Sequence, residues 1–260
     1  MIVELFGPPG VGKTTLANAL ADRLRERGHD AKLVLSYRPS EGPPASRAEG
    51  FPRLRIPAAL HRLTRPLVES FAAARHSVDA DEAGAAAALM RLLVPRKVIW
   101  SLRLRQYMLR LSRIWREAAL AGDIVLFDQG FIQAVYTFAL LARSADPERI
   151  GRALDVVPEP DLVVRLDAPL EILEARLAER RRRQGRIEQL FDAWTNFGPL
   201  WIFDQLHELL RARGRPVTCV DSTDQRSLGE GVEKVVGIVV GSRGKILTGS
   251  GAGGQDGTCS

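Results

Sequence analysis

The stretch Gly7-Pro8-Pro9-Gly10-Val11-Gly12-Lys13-Thr14-Thr15 constrains the fold more than any other part of the chain. It fits the spacing G-x-x-x-x-G-K-[ST], and chemistry explains that spacing. Glycines let the backbone curl until successive N–H groups point at one set of phosphate oxygens. Lys13 would reach the β- and γ-phosphates as a point charge, and the Thr14 hydroxyl would hold Mg²⁺. The context agrees with the motif. Ile2-Val3-Glu4-Leu5-Phe6 before it reads as a short, mostly apolar strand. After it, Leu16, Leu20 and Leu24 recur at helical spacing, and Gly28 stops the helix. Strand, glycine loop and helix in that order place the nucleotide phosphates at the positive end of the helix. Gly7 through Thr15 are therefore the donor-binding candidates.

The rest of the chain supplies further strands and helices in alternation. Ala31–Leu35 reads as a second strand, with Arg38 in the loop leaving its carboxyl end. Ligands sit at that end in open α/β sheets, so Arg38 is either an acceptor contact or a solvated loop arginine. Residues 41–57 read as an irregular loop, and 58–74, 80–94 and 96–121 as helices. No carboxylate lies between Glu82 and Glu117, a span that holds Arg91, Arg96, Lys97, Arg103, Arg105, Arg110, Arg113 and Arg116. A purely solvated helix mixes its signs, so Arg103, Arg105 and Arg110 are candidates to face an anion. No aromatic alternation accompanies them, which argues against a nucleic-acid stacking surface.

Ile124-Val125-Leu126-Phe127-Asp128 is a buried parallel strand with a carboxylate at its tip. Beside a phosphate loop such an acid serves Mg²⁺, and its alternative is a turn or cap aspartate. Gln129, Gln133 and Tyr136 follow at spacings of three or four; they either read an acceptor's ring edge or cap the next helix and face solvent. Leu162–Asp167 is the next strand, and Pro169 opens a helix leading to Arg180-Arg181-Arg182-Arg183. That run, followed by Gly185, is either a closing phosphate clamp or a charged helix face. Arg180, Arg182 and Arg183 are the candidates to act on the departing phosphoryl group. Arg176, on the same helix, is placed with the donor. Arg215–Asp221 reads as a fifth strand, and residues 241–260 as a disordered tail rich in glycine.

Bulk properties exclude little beyond extremes. A chain of 260 residues with 26% charged residues can bury a core without staples. The net charge of +6 suits an anionic substrate. Cys219 and Cys259 form no metal or redox spacing, and Cys219 reads as a core thiol. No stretch reaches the ~18 apolar residues of a membrane span, and the expected home is the cytoplasm.

Segments 7–15, 119–136, 160–189 and 220–223 together resemble the thymidylate kinase family of P-loop kinases. In that family a strand ending Leu-Asp, a proline-opened helix and an arginine-rich lid leading into Arg-Ile-Glu follow in order. Leu166, Asp167, Pro169, Arg180–Arg183, Arg186, Ile187 and Glu188 stand in those places. The resemblance implies a three-layer α/β P-loop NTPase sandwich with a five-stranded parallel sheet. One kinase domain would span 1–240, with a helical acceptor-side insertion at about 41–121 and a lid at about 176–190. It implies ATP and Mg²⁺, a nucleotide donor and a small-molecule acceptor, with no nucleic acid and no membrane, and leaves homodimerisation open. The acceptor read from it is a nucleoside monophosphate. A hydroxyl of a nucleoside or nucleoside-like natural product, with Asp128 as base, is the alternative; an ATPase switch without a small acceptor is a third. Gln129 stands where the family's Asp-Arg pair has its arginine.

Overall fold

The computed structural model describes residues 1–35, 80–96, 98–143, 146–183 and 199–248. Five strands form one parallel sheet in the order β2-β3-β1-β4-β5: β1 Ile2–Phe6, β2 Ala31–Val34, β3 Ile124–Phe127, β4 Leu162–Asp167 and β5 Val217–Asp221. β1 lies at the centre because its side chains are buried on both faces, as are those of β3. In register, Glu4 stands beside Phe127 of β3 and Val163 of β4.

The helices divide between the two faces. Val3 and Leu5 point to the side covered by α1 (Lys13–Glu26) and α8 (Gln225–Thr248), where they meet Leu16, Leu20, Val235 and Val239. Ile2 and Phe6 point to the other side. There they pack in a core with α2 (Ala80–Leu92), α3 (Val98–Ala121), α4 (Phe131–Ala142), α5 (Pro147–Asp155) and α7 (Trp201–Ala212). The remaining helix, α6 (Leu170–Arg183), sends Leu173 into the first core and lays Leu177 against the glycine loop. This is the expected three-layer sandwich. The aromatic anchor of the second core is Trp115, whose ring contacts Phe127 and Phe131 at 4.8 and 5.1 Å between centroids. It is a core residue and no stacking platform.

Two helices depart from the sequence reading. α5 was not anticipated, although Asp146-Pro147-Glu148 signals it: Asp146 Oδ1 accepts from the Glu148 N–H at 3.0 Å, with proline at the first turn. α8 continues through Thr248, past the boundary at 240 where the tail was expected to begin. Val232, Val235, Val236 and Val239 fix the helix on the sheet, and adding further turns to a fixed helix costs little. Cys219 is half-buried on β5. Arg38, the stretch 41–79, the Gln184-Gly185-Arg186 break and Cys259 lie outside the described residues.

Candidate active site

The glycine loop joins the carboxyl end of β1 to α1, and its backbone requires glycine. Gly12, the residue before the first turn of α1, has φ of 96°, in the left-handed region. A Cβ on Gly7 would lie 2.5 Å from the Leu166 carbonyl oxygen, so β4 leaves no room for a side chain there. No side chain caps the start of α1, which leaves that duty to the loop or to an anion. Lys13 is only 8% exposed and arches back over the loop; its Nζ donates to the Gly7 and Pro8 carbonyls at 2.7 and 3.0 Å.

Thr14, at the second position of α1, donates its hydroxyl to Asp128 Oδ2 at 2.8 Å. Asp128 is 1% exposed at the tip of β3, and its own N–H donates to the Val34 carbonyl of β2 at 3.1 Å. The pairing brings together two residues that the sequence separates by 114 positions. Both offer oxygen donors, a hydroxyl in the first turn of α1 and a carboxylate at the tip of β3. This donor set fits Mg²⁺, which takes one or two protein oxygens and draws the rest of its shell from phosphates and water. Among the described residues no group of three or more His, Cys, Asp or Glu side chains could hold a metal by itself.

Beside the loop lies a cavity of about 230 Å³ lined by Gly10, Val11, Gly12, Thr15, Arg176, Ser222 and Leu228. Arg176, reaching across from α6, donates to the carbonyls of Ser222 and Thr223 at 2.7 and 3.1 Å. Ser222 in turn donates its hydroxyl to the Val11 and Asp167 carbonyls at 2.6 and 3.0 Å. The loop after β5 is thus tied both to the glycine loop and to α6. Ser222 had no assigned role in the sequence reading, since a serine after a strand carries no signal of its partners.

On the opposite side the site is walled by α3 and α4. The Tyr107 hydroxyl donates to the Gln129 carbonyl at 3.3 Å, and the Arg110 guanidinium sits 5.9 Å from the Tyr107 ring centroid. Burial pushes the Tyr107 hydroxyl far above its ordinary pKa; the negative charges of Glu4 and Asp128 add to this, and Arg110 opposes it. Arg110 is therefore brought towards the Asp128 end of the site, whereas Arg105 is exposed. Arg103 and Arg183 lie in α3 and α6, but their side chains are outside the described residues.

Two predicted acceptor contacts have other surroundings. Gln133 is 7% exposed, and its Oε1 accepts the Gly7 N–H at 3.2 Å. It links α4 to the glycine loop and does not face solvent. Tyr136 is 3% exposed in the core, stacked on Phe203 of α7 at 3.9 Å between centroids, and its burial pushes the hydroxyl up to about 12. Along α6, Arg180 is half-buried, and Arg182 is exposed and 3.6 Å from Glu179. Sequence reasoning also missed Glu4, which is fully buried on β1. A carboxylate inside a strand buried on both faces was the available signal.

Similarity to known proteins bears on the family. The family model for "ATPase family associated with various cellular activities (AAA)" matches residues 3–37, the unit that carries the glycine loop. The thymidylate kinase of Pseudomonas putida (strain GB-1) is 30% identical over 192 residues, 73% of each chain. That of Ectopseudomonas mendocina (strain ymp) is 31% identical over 192 residues, again 73% of each chain. Among solved structures, thymidylate kinase from Ehrlichia chaffeensis aligns over 92% of this chain and 98% of its own, with 14% identity and a TM-score of 0.43. Deoxyadenosine kinase from M. mycoides aligns over 93% and 100%, with 14% identity and a TM-score of 0.45. The glycine loop on a parallel 2-3-1-4-5 sheet and these sequence relatives lead to one conclusion: the chain is a P-loop nucleotide kinase and belongs to the thymidylate kinase family.

Proposed function

We propose that this kinase transfers the γ-phosphoryl group of ATP to a nucleoside monophosphate. The observation that carries the reading is the Thr14–Asp128 hydrogen bond of 2.8 Å beside the glycine loop, which joins a phosphate-binding helix terminus to a carboxylate with the donor set for Mg²⁺. The relatives carrying the name thymidylate kinase support a monophosphate acceptor.

Each residue has a defined task in this reading. The loop N–H groups from Gly10 to Thr14 and the α1 terminus hold the donor phosphates. Lys13 exchanges its two carbonyl partners for phosphate oxygens and neutralises charge that grows as the γ-phosphoryl group leaves. Thr14 and Asp128 would hold Mg²⁺, which would neutralise charge on the donor phosphates. The cavity between the loop and Arg176 takes the nucleoside part of ATP. Arg180, Arg182 and Arg183, in the last turn of α6, are the candidates to stabilise the transferring group. Arg110, held over Tyr107, supplies positive charge on the acceptor side.

A monophosphate arrives already ionised and needs cations to hold it, whereas a hydroxyl needs a base to remove its proton. Gln129 in place of an arginine favours the hydroxyl reading, in which Asp128 is that base. Turnover of thymidine and of thymidine 5′-monophosphate with ATP and Mg²⁺ distinguishes the two. Preference for the monophosphate, with Arg110→Ala raising its KM selectively, supports the proposal. Phosphorylation of the free nucleoside alone overturns it.

A further inference from the structure

Glu4 is the one carboxylate placed within β1, three residues before the glycine loop begins. It is fully buried, and its Oε1 accepts two backbone N–H groups at the start of α4: Ile132 at 2.6 Å and Gln133 at 3.2 Å. That helix terminus has no cap of its own. Gly130 precedes it, no side-chain cap bond forms, and its first turn carries no acid. Glu4 therefore does from the neighbouring strand what an N-cap residue ordinarily does from the adjoining position. The chain has made room for it: a Cβ on Gly130 would lie 2.5 Å from the Glu4 carboxyl carbon.

The consequence for the donor site runs through Gln133. Its backbone N–H is held by Glu4, while its side-chain oxygen holds the N–H of Gly7, the first residue of the loop. The same turn begins at Asp128, the partner of Thr14. One buried carboxylate thus fixes the start of α4, and through it one end of the loop that faces the phosphates.

We propose that Glu4 is a positioning residue of this kinase, setting the phosphate loop through a Glu4–Gln133–Gly7 chain of hydrogen bonds. The proposal rests on the reading of Gly7–Thr14 as the ATP site, and it requires no knowledge of the acceptor.

The test is calorimetric binding of ATP with Mg²⁺ to the full chain, with melting temperature measured alongside. Gln133→Leu removes the bond to Gly7 and leaves the bonds to Glu4; its Kd for ATP should rise about threefold to tenfold, the worth of one hydrogen bond. Glu4→Leu should raise Kd by a similar factor, and Glu4→Gln, which keeps the accepting oxygen, should bind within about twofold of wild type. Because both residues act through one chain, the double variant Glu4→Leu/Gln133→Leu should bind no worse than the weaker single variant. Should Glu4→Leu fail to fold, Glu4→Asp replaces it; its carboxylate is one methylene short of the helix terminus, and the same weakening is expected. Additive losses in the double variant would overturn the proposal, as would Glu4→Gln binding as poorly as Glu4→Leu or Gln133→Leu binding like wild type. Failure of wild type to bind ATP at all would overturn the donor-site reading together with this one.

Discussion

Lys13 shows how much a single residue of the loop has to do. It is nearly buried, and its ammonium is held by two loop carbonyls, so truncation removes both a phosphate contact and a brace of the loop. Lys13→Ala should therefore lower kcat on the order of 10³-fold, as loss of a charge-stabilising donor does elsewhere. The sheet does not depend on it, so the far-ultraviolet circular dichroism spectrum should be unchanged. Near-normal turnover would contradict the site. Glu4 carries a different, pH-dependent signature. Burial pushes its carboxyl from 4.5 up to about 8, against the lowering effect of the bonds from Gln133 and Ile132 and the charge of Arg215. The folded state therefore holds a proton that the unfolded chain releases near 4.5. The stability this contributes is fully present below that value and is lost as the pH rises through about 8. Denaturant titrations between pH 5 and 9 should show wild-type stability falling relative to Glu4→Gln, which has no proton to lose. Parallel curves for the two proteins would show that Glu4 does not titrate in this way.

At the scale of elements, the β3–α4 turn and α6 are the pieces that the site cannot spare. Gly130→Ala forces a methyl group into the Glu4 carboxyl, a clash with a side chain that is itself hydrogen-bonded. Overpacking of this kind costs about 1–3 kcal/mol. Chemical denaturation should show that loss, and shortening Glu4 to Ala should be less harmful in the Gly130→Ala background than in wild type. Independent, additive effects would mean that the turn moves aside. On α6, Arg176 should act on binding and the terminal arginines on rate. Arg176→Ala opens one wall of the cavity and frees the loop carrying Ser222, so KM for ATP should rise about tenfold with kcat little changed. Neutralising the best placed of Arg180, Arg182 and Arg183 should lower kcat on the order of 10³-fold, as removing an arginine finger does. Changes confined to solubility would make that end of α6 a solvated face.

For the whole molecule, the parts legible in the sequence are those encoded locally. Ile124–Phe127 must be a strand buried on both faces whatever surrounds it, and Gly7–Thr15 carries its phosphate chemistry in its own spacing. Asp128 was legible because the tip of a parallel strand is always at the ligand end of the sheet. What could not be read was the direction of side chains across elements. Gln133 and Tyr136 share one helix at a three-residue spacing, yet one reaches the glycine loop and the other enters the core against Phe203. That choice is made by the packing of α4 between β1 and α7, which no local pattern states. The extension of α8 to Thr248 was hidden in the same way, since valines on the sheet decide it and the glycines after 240 argue against it. The central claim concerns what the assembled site does: ATP and Mg²⁺ on one side, a nucleoside monophosphate on the other. The most direct measurement compares kcat/KM for thymidine 5′-monophosphate and thymidine, with ATP as donor, in wild type and Asp128→Asn. The account predicts that the monophosphate is preferred and that Asp128→Asn depresses its turnover. Phosphorylation of thymidine or another free hydroxyl, with no turnover of any nucleoside monophosphate, would contradict it.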